Sequence, residues 1–94
     1  MNLTDLHIAD MPVQTKAVFD CHEKVISLQI HAGHTLKEHV SKVPAFLVCI
    51  EGEADYGEET GRNQVLLPGS FVQIEAHVKH WIDAKQTTNL LLIK

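Results

Sequence analysis

The sequence has 94 residues, of which 45% are apolar and 21% are charged, and its formal net charge is −4. A chain of this length forms one small domain over 1–94 with a limited core, so oligomerisation is a reasonable expectation. The charge gives no basic footprint for nucleic acid or an anionic membrane, and no apolar run approaches the roughly 20 residues that cross a bilayer. The N-terminus lacks the basic and apolar regions of a signal peptide, which predicts a cytoplasmic protein.

Cysteine and histidine are the residue types with possible chemistry. The sequence has two cysteines, Cys21 and Cys49, and cytoplasmic residence favours free thiols over a disulfide. It also has seven histidines. For His7, His22 and His31 we favour surface or half-buried positions without a role in binding.

Short alternating segments follow one another along the chain. Residues 1–14 are mixed and are interpreted as a loose arm or an edge strand. Within 24–31, Ile26, Leu28 and Ile30 share one face, as in a strand with one buried side. The other predicted strands are 17–19, 35–39, 46–50, 54–56, 63–67, 70–74, 79–84 and 88–93. About nine short strands with turn signals between them favour an all-β sandwich or barrel.

Two of these segments lead to specific expectations. The nearly continuous apolar run 46–50 predicts a strand covered on both faces. The stretch 57–61, GEETG, is predicted to be a hairpin tip in which both glycines are available for positive φ. Glu58 and Glu59 in this tip are interpreted as solvated turn charges and not as an acid–base pair.

Two longer stretches begin with a glycine and carry a histidine. Gly33 is followed by five residues and then His39, and Gly52 closes that stretch, whereas the second stretch runs from Gly69 to His80. They resemble the two motifs of the cupin superfamily, G-x5-H-x-H-x3-E-x6-G and G-x5-P-x-G-x2-H-x3-N. The resemblance covers roughly 24–93 and implies a small single-domain cupin, an RmlC-like double-stranded β-helix or jelly-roll barrel, with 24–93 as its core.

The resemblance also implies a metal site with an incomplete ligand set. Metal-binding cupins typically use two histidines and the glutamate of the first motif together with the histidine of the second. Here Ser41 and Ala45 replace the second histidine and the glutamate, so His39 and His80 remain. His77, at a turn three residues before His80, is the best candidate for a third ligand. Imidazole suits transition metals, so we expect one divalent ion (Zn, Ni, Fe, Mn or Cu) or none.

Other residues are weaker candidates. His34 and Glu38 lie at odd offsets from His39, which points them to the opposite face of a regular strand. Cupin sugar epimerases use a His/Tyr pair, but Tyr56 is predicted to lie near a hairpin tip, so that enzyme class is not supported. Trp81, next to the second-motif histidine, should face away from the pocket.

The sequence therefore predicts a cupin barrel that binds a divalent metal and/or a small organic ligand, and it leaves open whether the protein is an enzyme. The alternative is a metal-free ligand-binding or sensor module without catalysis, similar to the sensor domains of arabinose-type regulators but without a DNA-binding segment. The expected partners are a small molecule and a second copy of the chain, and neither nucleic acid nor a membrane. A two-fold homodimer would use residues 1–14 or the Trp81 face.

Overall fold

The computed structural model describes residues 3–20 and 24–94 and is built almost wholly of strands. Within these residues a short 3₁₀-helix, Leu3–Leu6, precedes nine strands: β1 (Val13–Asp20), β2 (Lys24–Ile30), β3 (Thr35–His39), β4 (Ala45–Glu51), β5 (Ala54–Glu58), β6 (Asn63–Leu66), β7 (Phe71–Ile74), β8 (His80–Ala84) and β9 (Thr88–Ile93). Cys21 and His22 lie outside the described residues. In the part of the chain that the structure describes, no helix is long and apolar enough to span a membrane.

The strands form two antiparallel sheets that face each other. Sheet A has the order β1-β2-β9-β4-β7, and sheet B has the order β3-β8-β5-β6. Between the sheets lies one hydrophobic core to which strands of both contribute: Leu28, Ile30, Ala45, Leu47, Cys49, Ala54, Tyr56, Leu66, Val72, Ile74, Ile82, Ala84 and Leu90. The all-β class predicted from the alternating segments is confirmed.

β1 is the edge strand of sheet A. It pairs with β2 from Val13 to Asp20, so it is longer than the predicted strand 17–19 and includes the end of the predicted arm. The alternation in β2 is observed, with Leu28 and Ile30 buried. Ser27 on the opposite face is buried as well, because the His7 ring from the N-terminal segment hydrogen-bonds its hydroxyl (Nε2 to Oγ, 2.7 Å).

β4 is buried on one face only. Ala45, Leu47 and Cys49 face the core, whereas Phe46 and Val48 are half-buried on the outer face of sheet A. The prediction that both faces are covered is therefore wrong. On this outer face the rings of Phe46 and Phe71, which belong to the same sheet, stack with centroids 5.1 Å apart.

The hairpin between β5 and β6 corrects a second expectation. Gly61 has positive φ (94°), but Gly57 lies inside β5 and does not, so only one of the two glycines serves the turn. Gly57 is opposite Trp81 of β8, and a Cβ at position 57 would lie 2.5 Å from the indole Nε1. The glycine is required there because the indole occupies the space of a side chain.

One side of the sandwich is closed by side chains. β6 is an edge of sheet B, and β7 is an edge of sheet A. Arg62 donates from Nη2 to the carbonyl of Gln73 (2.7 Å), and Gln64 donates from Nε2 to the carbonyl of Phe71 (3.1 Å). These two bonds satisfy alternate acceptors of the β7 edge and join the two sheets.

The two glycine-to-histidine stretches run side by side. β3 pairs with β8 in sheet B, and β4 pairs with β7 in sheet A, so the connections 40–44 and 75–79 cross between the sheets together. A hydrogen bond from the His77 amide to the Ser41 carbonyl (2.8 Å) ties one crossing to the other. The histidines that end β3 and begin β8 therefore meet.

Candidate functional site

His39 and His80 form a pair at the end of the β3–β8 ladder of sheet B. They are directly opposite each other in the β3–β8 ladder, and their ring centroids are 4.1 Å apart with the planes at 59°. The register shifts between Leu36 and His39, so β3 carries one extra residue there. This bulge places Leu36 and His39 both on the inner side of the sheet, although they are three residues apart in sequence. His80 is 3% exposed and His39 is half-buried.

Both imidazoles are fixed in the same way by the main chain. His39 Nδ1 lies 3.0 Å from the Lys37 carbonyl oxygen, and His80 Nδ1 lies 3.0 Å from that of Val78. A carbonyl oxygen only accepts, so each Nδ1 carries the proton and donates it. In the neutral ring the lone pair is then on Nε2. A main-chain acceptor on the other ring nitrogen is the arrangement that orients metal-binding histidines.

The surroundings of His80 favour its neutral form. Burial lowers the pKa of His80 below its ordinary value, and the adjacent His39 lowers it further. The Val78 carbonyl and the negative charge of Glu58 act in the opposite direction without reversing the result. His80 is therefore a neutral Lewis base at neutral pH.

The predicted third ligand does not join this pair in the structure. His77 is exposed at the turn before β8, where it has positive φ (68°). Within residues 3–20 and 24–94, no group of three or more His, Cys, Asp and Glu side chains is placed to hold a metal ion. The donor set thus fits a transition metal in atom type and tautomer, with two protein ligands. The role of His77 stays a prediction.

Beside the pair lie a buried tyrosine and a buried carboxylate that the sequence analysis placed at or near a hairpin tip. The Tyr56 ring is 6.0 Å from the His80 ring with the planes at 29°, and Tyr56 is 1% exposed. Its hydroxyl donates to Glu58 Oε2 (2.6 Å), and Glu58 is 7% exposed. The prediction that Glu58 is a solvated turn charge is wrong, because β5 continues through it with its side chain inward. Glu59, the next residue, is exposed as predicted.

Two residues of the hairpin complete the bonding of Glu58. Thr60 donates from Oγ1 to Oε1 (2.7 Å), and the Arg62 guanidinium lies 3.3 Å from Oε2 and over the Tyr56 ring. Burial alone would raise the pKa of the Glu58 carboxyl, but the hydrogen bonds from Tyr56 and Thr60 and the charge of Arg62 together lower it. Burial and the bond to Glu58 raise the pKa of Tyr56. The network therefore holds an ionised carboxylate and a protonated phenol.

No protein-family model and no curated protein sequence matches this chain. Solved structures do match it. A cupin superfamily protein from Desulfitobacterium hafniense is 17% identical with a TM-score of 0.85, covering 98% of this chain and 84% of that one. An RmlC-like cupin with a double-stranded β-helix fold from Methanocaldococcus jannaschii is 18% identical with a TM-score of 0.77, covering 90% and 82%. KdgF from Halomonas sp. is 18% identical with a TM-score of 0.77, covering 95% and 88%.

This chain has the cupin fold. The motif positions at which a metal ligand is missing have structural roles in this chain. Ser41 is buried and its hydroxyl donates to the Val43 carbonyl (2.7 Å), which fixes the connection 40–44. Ala45 is buried on the inner face of β4. Cys49, four residues after Ala45 on the same face, is a buried free thiol whose pKa is raised by burial.

The weaker candidates lie away from the pair. His34 is exposed before β3, with its ring centroid 6.4 Å from that of His31. Glu38 is exposed and its carboxylate is 3.8 Å from the Lys79 amine. Their exposure agrees with the prediction that they point outward.

Two cavities open beside the cupin sandwich near the crossings. One of about 340 Å³ is polar and lies at the β5–β6 hairpin, lined by Glu58, Thr60, Arg62, Gln73, Glu75 and Val78. Val78 is the residue whose carbonyl holds the His80 imidazole. The other, about 680 Å³, is more apolar and lies at the ends of β4, β7 and β9. Both are within the size range of small-molecule sites.

Proposed function

We propose that this cupin binds a small organic ligand beside the His39–His80 pair, together with one divalent transition metal (Zn, Ni, Fe, Mn or Cu). The observation that carries the proposal is the identical anchoring of the two rings: each Nδ1 donates to a main-chain carbonyl, and each Nε2 keeps a lone pair. Catalytic zinc sites usually have three protein ligands. With two, the remaining positions fall to water or to donor atoms of the ligand.

The residues around the pair would orient the ligand and exclude water. A bound metal would act as a Lewis acid towards a ligand oxygen. The buried side chains Tyr56, Ile82 and Ala45 exclude water from the inner side. The polar cavity next to Val78 would admit the hydrogen-bonding part of a ligand, and the larger apolar one its carbon skeleton.

The alternative function is a metal-free binding or sensor module. It is favoured by the absence of a group of three ligating side chains in the described ranges 3–20 and 24–94. In this case the two imidazoles would accept hydrogen bonds from the ligand at Nε2. No catalytic step is needed for either function.

The test is calorimetric titration of the untagged, metal-free protein with Zn²⁺, and separately with Ni²⁺ and Co²⁺, beside His39→Ala and His80→Ala. Loss of one of two protein ligands should lower the affinity at least 100-fold, which is about 2.7 kcal/mol. The matched control is His34→Ala, since His34 is an exposed histidine close in sequence. His77→Ala tests the third ligand.

Stoichiometric binding that disappears in both pair variants and persists in the control would support the metal-binding function. If the control and pair variants bind equally, the assignment of His39 and His80 is wrong. No binding of any of the three metals by the wild type would favour the metal-free module, and screening would then use organic ligands alone.

A further inference from the structure

The surroundings of His80 extend across three neighbouring strands. β8 lies between β3 and β5 in sheet B. In the ladders His80 is opposite His39 on one side and opposite Glu58 on the other, with Tyr56 two residues before Glu58 on the same face. The His80 ring therefore has a ring neighbour on each flanking strand, with centroids 4.1 Å and 6.0 Å away.

The main chain alone does not account for this arrangement. The Val78 carbonyl holds one ring atom, Nδ1, which leaves the plane of the imidazole to be set by what packs against its faces. His39 is half-buried and at the end of β3, so it is the less constrained neighbour. Tyr56 is fully buried and near-parallel to the His80 ring. The constraint on the ring plane thus comes from the tyrosine side.

Tyr56 is itself held by a connected set of bonds. Its hydroxyl donates to Glu58, which also accepts from Thr60 and pairs with Arg62. Arg62 donates in turn to the Gln73 carbonyl of sheet A, so the set is anchored to both sheets. Packing alone would be served equally by phenylalanine at 56 and by an apolar residue at 58. A buried carboxylate is costly to desolvate, and here three donors surround the Glu58 carboxylate.

We propose that Tyr56 and Glu58 are positioning residues for His80: Glu58, fixed by Thr60 and Arg62, holds the Tyr56 hydroxyl, and the Tyr56 ring then fixes the plane of the His80 imidazole and the direction of Nε2. The proposal rests on the proposed function in one respect, that Nε2 of His80 is the atom that binds. Outer groups that orient a metal-binding histidine typically contribute 10–100-fold to metal affinity.

The test uses two readouts on Tyr56→Phe and Glu58→Gln. The first is a long-range proton–nitrogen spectrum of the histidine side chains in the metal-free protein, recorded well above the pKa of histidine. The second is calorimetric titration with Zn²⁺. We expect the wild type to give one sharp His80 signal set with the proton on Nδ1, and both variants to give broadened or doubled His80 signals, with Zn²⁺ affinity lowered about 10–100-fold.

Glu51→Gln is the matched control, because it changes an exposed carboxylate on β4 of the other sheet and leaves the Tyr56 bond intact. If either core variant fails to fold, Arg62→Gln loosens Glu58 from a side chain that is 46% exposed, and the same His80 change is expected at smaller size. Backbone amide spectra establish that each variant is folded.

The outcomes separate the two proposals. Variants that keep the wild-type His80 signals overturn the positioning role, whether or not their Zn²⁺ affinity changes. Altered His80 signals in a protein whose wild type binds no Zn²⁺ support the positioning role and contradict metal binding. Altered signals with unchanged Zn²⁺ affinity would show that Nε2 of His80 is not the binding atom, and the positioning role would then have no function in binding.

Discussion

Glu58 is a buried carboxylate kept ionised by its partners. Tyr56, Thr60 and Arg62 supply donors and positive charge, and their combined effect outweighs burial and lowers its pKa. The unfolded chain has the ordinary glutamate pKa of about 4.3. Because the folded pKa is the lower one, Glu58 stabilises the fold above the unfolded value, and this contribution is lost as the pH falls through the folded pKa.

Glu58→Gln should therefore reduce stability most at neutral pH. We expect the free energy of unfolding at pH 7 to fall by about 1–3 kcal/mol. The NH2 group of the glutamine takes the place of a carboxylate oxygen that accepts a hydrogen bond, so two buried donors then face each other. Below about pH 4 the difference from the wild type should narrow. Urea unfolding midpoints measured across this pH range test it, with Glu51→Gln, at an exposed carboxylate, as control. A difference that stays constant with pH would show that the charge of Glu58 is unimportant.

The sequence predicted the histidine pair but not this carboxylate. His39 and His80 follow glycine and strand patterns that are local in sequence. Glu58 stands in a run of polar residues with glycines at both ends, which is typical of a solvated turn. A signal was present, since Tyr56 and Glu58 have the spacing of two residues that share a strand face. It could not be used without knowing that β5 continues to position 58.

In the β5–β8 ladder, Gly57 lies opposite Trp81. A Cβ at 57 would overlap the indole, which is a rigid ring and cannot yield as a flexible chain end would. Gly57→Ala should lower the free energy of unfolding by about 1–3 kcal/mol, the usual cost of overpacking. Urea unfolding measures the effect.

The control for this prediction is a double-mutant cycle. In a Trp81→Leu background the space above position 57 changes shape, so Gly57→Ala should cost at least 1 kcal/mol less than in the wild type. Equal costs in the two backgrounds would mean that the glycine is needed for its backbone and not for the indole.

Strand positions were predictable because the turn residues that separate the strands are visible in the sequence. The segments 35–39 and 88–93 coincide with β3 and β9. The bulge that turns His39 inward was not predictable, because one extra residue in a ladder depends on the partner strand. The burial of Ser27 was missed for a similar reason, since its cover comes from His7, twenty residues away.

The outer face of sheet A carries an apolar patch. Phe46, Val48, Phe71 and Leu91 lie together there on three neighbouring strands, and Phe71 is 54% exposed. Patches of this kind mark interaction sites. A small chain with a limited core is expected to associate, and two copies related by a two-fold axis would place the same apolar patch on both partners.

We therefore expect a homodimer in which Phe71 is buried. Phe71→Ser should raise the dimer dissociation constant at least tenfold, since an aromatic side chain at the centre of an interface contributes more than 1 kcal/mol. Sedimentation velocity over a range of concentrations measures it. Trp81→Leu is the comparison, because the Trp81 face is the contact expected from the sequence. A monomeric wild type contradicts the dimer, and an effect of Trp81 alone would move the contact to sheet B.

The side-chain hydrogen bonds between the β5–β6 hairpin and β7 affect how this fold can change during evolution. Their acceptors are carbonyls of the β7 main chain, which every sequence possesses, whereas their donors are two side chains, Arg62 and Gln64. Substitutions in β7 leave the acceptors in place. Substitution of either donor would remove one of the two bonds that join this flank while every backbone ladder stays intact, so the closure of this side depends on two codons.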